Sequence, residues 1–155
     1  MKGFPERAIV QHLRKQYPVG CRIVVDRLDD PYTPIQPGTQ GTCQGVDDAG
    51  SIMAVYDCGS SLSALYHIDA VHRVSSEAEI KESLNWLGKR QREANEGGHC
   101  PRCGIMLESF DRQALSRYAD VAVCPQCGSE EALEKAGFIK PKPLSEWWCV
   151  QDWEL

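Results

Sequence analysis

The chain has no apolar run approaching the roughly 18 residues that a membrane-spanning helix requires. It also has no surplus of positive charge: 17 Lys and Arg stand against 22 Asp and Glu, a formal net charge of −5. The first absence predicts no membrane partner. The second disfavours a nucleic-acid binder that works by phosphate neutralisation alone. The opening Met1-Lys-Gly-Phe-Pro-Glu-Arg mixes charge with apolar residues and lacks the apolar core of a secretory leader, so a cytoplasmic protein is expected. A phosphate-cradling glycine loop, a serine elbow and a metalloprotease helix are likewise missing, and the expectation is that the chain is not an enzyme.

Its 155 residues, 42% hydrophobic and 25% charged, describe a globular chain long enough for one ordinary domain or two small ones. Acid is concentrated at the end: residues 129–155 hold 3 basic and 6 acidic groups. Eight cysteines would suggest disulfides in a secreted protein, but in a reducing compartment four of them fall at metal-ligand spacing.

Pro5 followed by Ile9, Val10, Leu13 and Tyr17 predicts an amphipathic helix over 5–16, ended by Pro18 and Gly20. Residues 21–28 are rich in β-branched side chains and read as a strand, whereas the three prolines in 29–38 exclude regular structure. Strands follow at 39–46, 51–56 and 61–66, with a shorter one at 71–74, separated by Asp- and Gly-bearing turns. So many short strands joined by tight turns predict a small barrel that closes its own edges. Ser76-Glu-Ala-Glu79 is a capping box, and Ile80, Leu84 and Leu87 continue a helix over about 76–94.

Cys100-Pro-Arg-Cys103-Gly and Cys124-Pro-Gln-Cys127-Gly are separated by 20 residues. Two residues between the cysteines of a pair let both thiolates face one ion, and the glycine after each pair permits the tight backbone beneath it. Two such knuckles supply a closed tetrahedral set with no position for water, which makes one structural Zn2+ per chain the expected cofactor. His99 adjoins a ligand but is not needed to complete the shell. A helix is expected over 129–136, capped by Ser129 and stopped by Gly137.

Cys21, Cys43, Cys58 and Cys149 share no ligand spacing. The first two read as small buried hydrophobes, and Cys58 lies in a turn. A second metal site combining them with His67 or His72, or a nucleophilic cysteine, lacks a local signature. Asp29-Asp30 and Asp47-Asp48 read as turn formers. Trp147, Trp148 and Trp153 are either interface anchors or a tail folded back onto a core-poor module. Arg102 and the stretch from Arg112 to Arg117 and Tyr118 form the one partly basic region with an aromatic, which reads either as a contact to phosphates or a base of a partner or as a solvated face.

Tyr17-Pro-Val-Gly-Cys-Arg-Ile-Val, Pro37-Gly-Thr-Gln-Gly-Thr, Val46-Asp-Asp-Ala-Gly-Ser-Ile and Tyr56-Asp-Cys-Gly-Ser-Ser-Leu resemble a small uncharacterised domain, domain-of-unknown-function family 4314. It is common in phages and conjugative elements of Gram-positive gut bacteria. The pattern also resembles SH3-like barrels, and Cys58 departs from it where Asn before Gly is usual. The segment from Ala114 to Gly128, with Glu131-Ala-Leu after it, is similar to a zinc-binding segment in small proteins of the same elements. Knuckle, spacer, knuckle and helix is the order seen in zinc-ribbon and treble-clef modules.

These resemblances imply an α+β chain with a helix and SH3-like barrel over 1–75, a linking helix over 76–97 and a zinc module with a Trp-rich acidic tail over 98–155. They imply a phage or mobile-element accessory protein and supply no activity. The expected role is binding a macromolecular partner, protein ahead of nucleic acid, possible roles including inhibition of a host defence or nucleic-acid-processing machine. The alternative is a DNA- or RNA-binding regulator that uses the zinc module.

Overall fold

The computed structural model describes residues 5–28, 35–65, 68–95 and 98–150. The chain divides into two compact units, one ending at Val74 and the other beginning at Ser75. Helix and antiparallel sheet occur together, so the α+β class stands.

In the first unit, α1 (Arg7–Gln16) precedes β1 (Arg22–Arg27), β2 (Gln40–Val46), β3 (Ile52–Tyr56), β4 (Ser61–Ala64) and β5 (Ala70–Arg73). The sheet order is β4-β3-β2-β1-β5, antiparallel throughout. The turns work as their composition requires: Asp47 accepts from the backbone N–H groups of Ala49 and Ser51, at 3.0 and 2.9 Å. Ile23 and Val25 of β1, Cys43 of β2, Ile52, Ala54 and Tyr56 of β3 and Ala64 of β4 form one buried cluster. Val10, Leu13 and Tyr17 of the α1 segment pack on it, and Tyr17 donates its hydroxyl to the Val71 carbonyl at 3.2 Å. Gly41 lies directly under the Tyr56 ring, where a Cβ would stand 2.6 Å from a ring carbon.

The expected closed barrel is not what the ladders show. The two outermost strands, β4 and β5, have four residues each and do not pair with each other among the described residues, so the sheet is open. The apolar face is covered by side chains from α1 instead of being sealed by a further ladder.

The other side of β1 carries charge. Arg22 and Asp57 are both buried and form a two-pronged ion pair, with Nη1 3.0 Å from Oδ1 and Nη2 on Oδ2. Nη1 also donates to the Thr42 hydroxyl at 2.9 Å. This pairing places the β3–β4 turn over the β1–β2 ladder.

The second unit contains α2 (Glu77–Ala94), the short hairpin β6 (Ala114–Leu115) with β7 (Ala122–Val123), and α3 (Pro125–Lys135). Ser76 caps the helix as expected, its Oγ accepting from Glu79 N at 3.1 Å, and Glu79 Oε1 reaches back to the N–H of Ser75, one residue before the cap, at 3.1 Å. The helix expected to link two modules belongs to this unit. Gln91 is buried and bonds both backbone groups of Ala122, and Arg92 clasps Asp120 with two contacts of 2.9 Å. Gly88 lets α2 touch the 118–121 loop, since a Cβ there would fall 1.8 Å from the Asp120 carbonyl oxygen.

Two substitutions test these packings in denaturant unfolding. Asp57→Asn should destabilise by about 3 kcal/mol by leaving Arg22 buried against a neutral group, whereas Asp48→Asn in the exposed pair with Arg14 should cost under ~0.5 kcal/mol. Gly88→Ala should cost at least ~3 kcal/mol, because the clash is with backbone and cannot be relieved by a rotamer change.

Candidate metal centre

Each cysteine pair is shaped by its own backbone. Gly104 N–H bonds the Cys100 carbonyl at 2.8 Å and Cys100 N–H bonds Ile105 O at 2.7 Å, folding the first knuckle into a tight turn under a His99–Met106 bridge. The positive φ of Gly104, 88°, is what this turn demands. The second pair opens α3. Cys124 is its N-cap, Pro125 its first residue, and Cys127 sits in its first turn. The helix therefore starts four residues before the expected Ser129, whose hydroxyl instead bonds Pro125 O at 3.1 Å. A thiolate acceptor takes over the capping task that the sequence suggested for a hydroxyl: Cys124 Sγ accepts from Cys127 N at 3.4 Å. Gly128 is needed because a Cβ would stand 2.5 Å from that of Ala114.

The four sulfurs of Cys100, Cys103, Cys124 and Cys127 all lie within 4.8 Å of one another. Cys100 and Cys127 are 4.0 Å apart, and Cys103 and Cys124 are 3.6 Å apart. Tetrahedral coordination with metal–sulfur bonds of about 2.3 Å places sulfurs about 3.8 Å from each other, so the set has the size to hold one metal ion. Three of the ligands are buried and Cys103 is exposed. The Cys127 thiol lowers the pKa of Cys100 to about 5, helped by the backbone amides of Cys124, Cys103 and Arg102. Burial pushes Cys103 up to about 11, and the neighbouring Cys100 raises Cys127. A dication among the four sulfurs would stabilise their thiolate forms.

Arg102, between the first two cysteines, is 2% exposed. Its Nη2 donates to Glu134 at 2.8 Å, and its Nη1 lies 3.6 Å from Glu131. Both carboxylates are on α3, so this ion pairing joins the two knuckles through protein alone. Glu131 also accepts from Ser116 Oγ at 2.9 Å and Arg117 N at 2.6 Å, and Glu134 from Tyr118 Oη at 2.9 Å and Lys142 N at 2.8 Å. Nothing local in the sequence marks Arg102 as buried, because its partners are about thirty residues away.

Trp147 is fully buried beside Arg102, whose guanidinium carbon stands 5.7 Å from the ring centroid. Trp148 packs on the first knuckle: its indole would meet a Cβ on Gly104 at 2.5 Å, and its ring stacks at 5.0 Å on His99. Backbone bonds from Trp148 N to Arg102 O (3.1 Å) and from Cys149 N to Pro101 O (3.0 Å) continue the strap. Trp147 thus lies in the core and Trp148 against the knuckle. Trp153 is outside the described residues, as are Asp29, Asp30 and His67.

The remaining cysteines are not members of this group. Cys21, Cys43 and Cys149 are buried and Cys58 is exposed. His72 meets Asp26 at 2.8 Å. Arg112 and Arg117 are both exposed and line a cleft beside α3.

Residues 6–74 match the family model described as Domain of unknown function (DUF4314). The DUF4314 match coincides with the first unit and stops before the four cysteines, so it bears on the sheet and its ion pair and not on the metal centre. No curated protein and no solved structure matches the chain.

The ion pairing predicts an acid-sensitive stability term. Burial works to raise the Glu134 pKa, but bonds from Arg102, Lys142 N–H and Tyr118 together hold it below the ordinary carboxylate value. A carboxylate depressed in the folded state stabilises above its unfolded pKa, about 4.3, and that contribution is lost as pH falls through the folded value. Glu134→Gln should therefore cost about 3 kcal/mol at pH 7, and its difference from the unmodified chain should shrink below about pH 4. An acid-independent difference in chemical unfolding would show that the carboxylate's charge is not responsible.

Proposed function

We propose that the chain is a non-enzymatic accessory protein of a phage or mobile element that binds a protein partner, with a single structural zinc ion holding its C-terminal unit together. The observation that carries this reading is the closed four-sulfur set. Its donors are all cysteines at tetrahedral spacing, and it resembles the ligand shell of structural zinc sites, which leave no coordination position for substrate or water. Thiolates select zinc over magnesium or calcium, which prefer oxygen ligands.

The second knuckle at the start of α3 supports a treble-clef-like reading of this unit. The order β4-β3-β2-β1-β5 supports an SH3-like ancestry for the first, in an opened form. Neither resemblance supplies a reaction. The mobile-element setting rests on the DUF4314 match and on the cysteine segment's similarity to such proteins. There, a small acidic protein with a rigid metal-stabilised surface suits an inhibitor or adaptor acting on a host machine. A nucleic-acid-binding regulator fits less well with a net charge of −5.

Protein purified without added metal should contain one zinc per chain by elemental analysis. Cys124→Ser should abolish it and Cys58→Ser leave it unchanged. Zinc content near zero in a chain whose second unit is folded would sink the metal reading. The partner reading is tested by in-cell cross-linking of the full chain followed by mass spectrometry. Reproducible cross-links to one protein are expected; cross-links only to nucleic acid would reverse the order of the two readings.

A further inference from the structure

The second unit carries a cleft of about 500 Å³ between β6 and the first turns of α3. Arg112, Gln113, Leu115, Arg117 and Ser129 line it, and no acidic side chain among the described residues does. The two arginines are presented differently. Arg117 is anchored: its Nη1 donates to Gly128 O at 3.0 Å and its backbone N–H to Glu131 at 2.6 Å. Four further guanidinium N–H groups accompany that anchoring bond, in a planar fork suited to carboxylate. Arg112 meets Glu108 at 3.2 Å in a pair whose side chains are both 73% exposed, an interaction that water screens and an incoming anion can replace. Between them Leu115 is 60% exposed, an apolar side chain left in a cationic setting.

We infer that this cleft binds an acidic peptide segment of a partner protein, with carboxylates on Arg112 and Arg117 and an apolar side chain against Leu115. The inference rests on the protein-binding reading above and gives it a place. It moves the contact surface from the tryptophan tail, whose Trp147 is buried, to the exposed arginines. Charge complementarity selects the occupant. A polyanionic nucleic acid would bring many phosphates to two cations, on a chain whose net charge is −5. Among the described residues no aromatic ring lines the cleft to stack a base. A short peptide with a few carboxylates and an apolar side chain matches the cations and the leucine together.

The test titrates the full-length, 15N-labelled chain with an end-blocked peptide of alternating Glu and Leu and, separately, with oligothymidylate. Saturable, salt-sensitive shifts are expected at Gln113, Leu115 and Ser129 with the peptide. Its affinity should fall at least ~10-fold in Arg112→Glu and in Leu115→Asp. Both positions are exposed, so tryptophan fluorescence and metal content should match the unmodified chain and report an intact fold. Absence of shifts in the cleft, or equal affinity in both variants, overturns the inference. Tighter binding of oligothymidylate at the same residues overturns it in favour of a polyanion. If both variants keep the same cross-linked partner in cells, the cleft assignment fails while the protein-binding reading survives.

Discussion

Four thiolates cannot occupy one small volume without a cation, and the architecture of the second unit answers that electrostatic constraint. The sulfurs of Cys100 and Cys127 are 4.0 Å apart and those of Cys103 and Cys124 are 3.6 Å apart, brought together from opposite ends of a twenty-residue spacer. A bound metal ion would supply the attraction directly. Arg102 supplies a second connection, tying the first knuckle to Glu131 and Glu134 of the helix that the second knuckle begins. Such buried charges are costly unless each is paired, and here each carboxylate gathers donors from several parts of the unit: Ser116, Arg117, Tyr118 and Lys142. A bound metal and the ion pairing would therefore act on the same two segments.

The first unit solves a related problem without metal. β1 is flanked by β2 and β5, and a central strand of this kind must be satisfied on both faces. One face is apolar and covered by α1. The other bears Arg22, whose burial is tolerable because Asp57 and Thr42 take its donors. The buried guanidinium recurs in both units, and in both it fixes a turn or loop onto a regular element. This is how a chain with a limited apolar core can still hold defined loop geometry.

What could be read from the sequence was what is encoded locally. The paired cysteines, the Ser76–Glu79 capping box and the alternating strands each depend on residues a few positions apart, and all appear where the pattern puts them. Tertiary features escaped. Pro125 is compatible with both loop and helix start, and only the convergence of Cys124 and Cys127 on the other pair favours the earlier start of α3. Short strands with turn signals fit an open sheet as well as a barrel, because closure depends on whether the outer strands meet. Nothing in the neighbouring sequence of Arg102 or Gly88 marks what either does. Their reasons lie in Glu134 and in the Asp120 carbonyl, both distant in sequence.

The C-terminal tryptophans show how this bears on function. An aromatic cluster in an acidic tail has the composition of an interface anchor, yet the same composition serves a small unit in need of core. Trp147 is fully buried beside Arg102, and Trp148 lies against Gly104, whose missing side chain makes room for it. The strap they form is continuous with the first knuckle through the backbone of Pro101 and Arg102. Loss of metal would therefore loosen the surface on which these rings rest as well as the start of α3, where Gly128 and Ser129 line the arginine cleft. The side chains that line that cleft are borne by elements whose positions the four cysteines and Arg102 set, so a surface of exposed residues rests on buried ones that hold it in place.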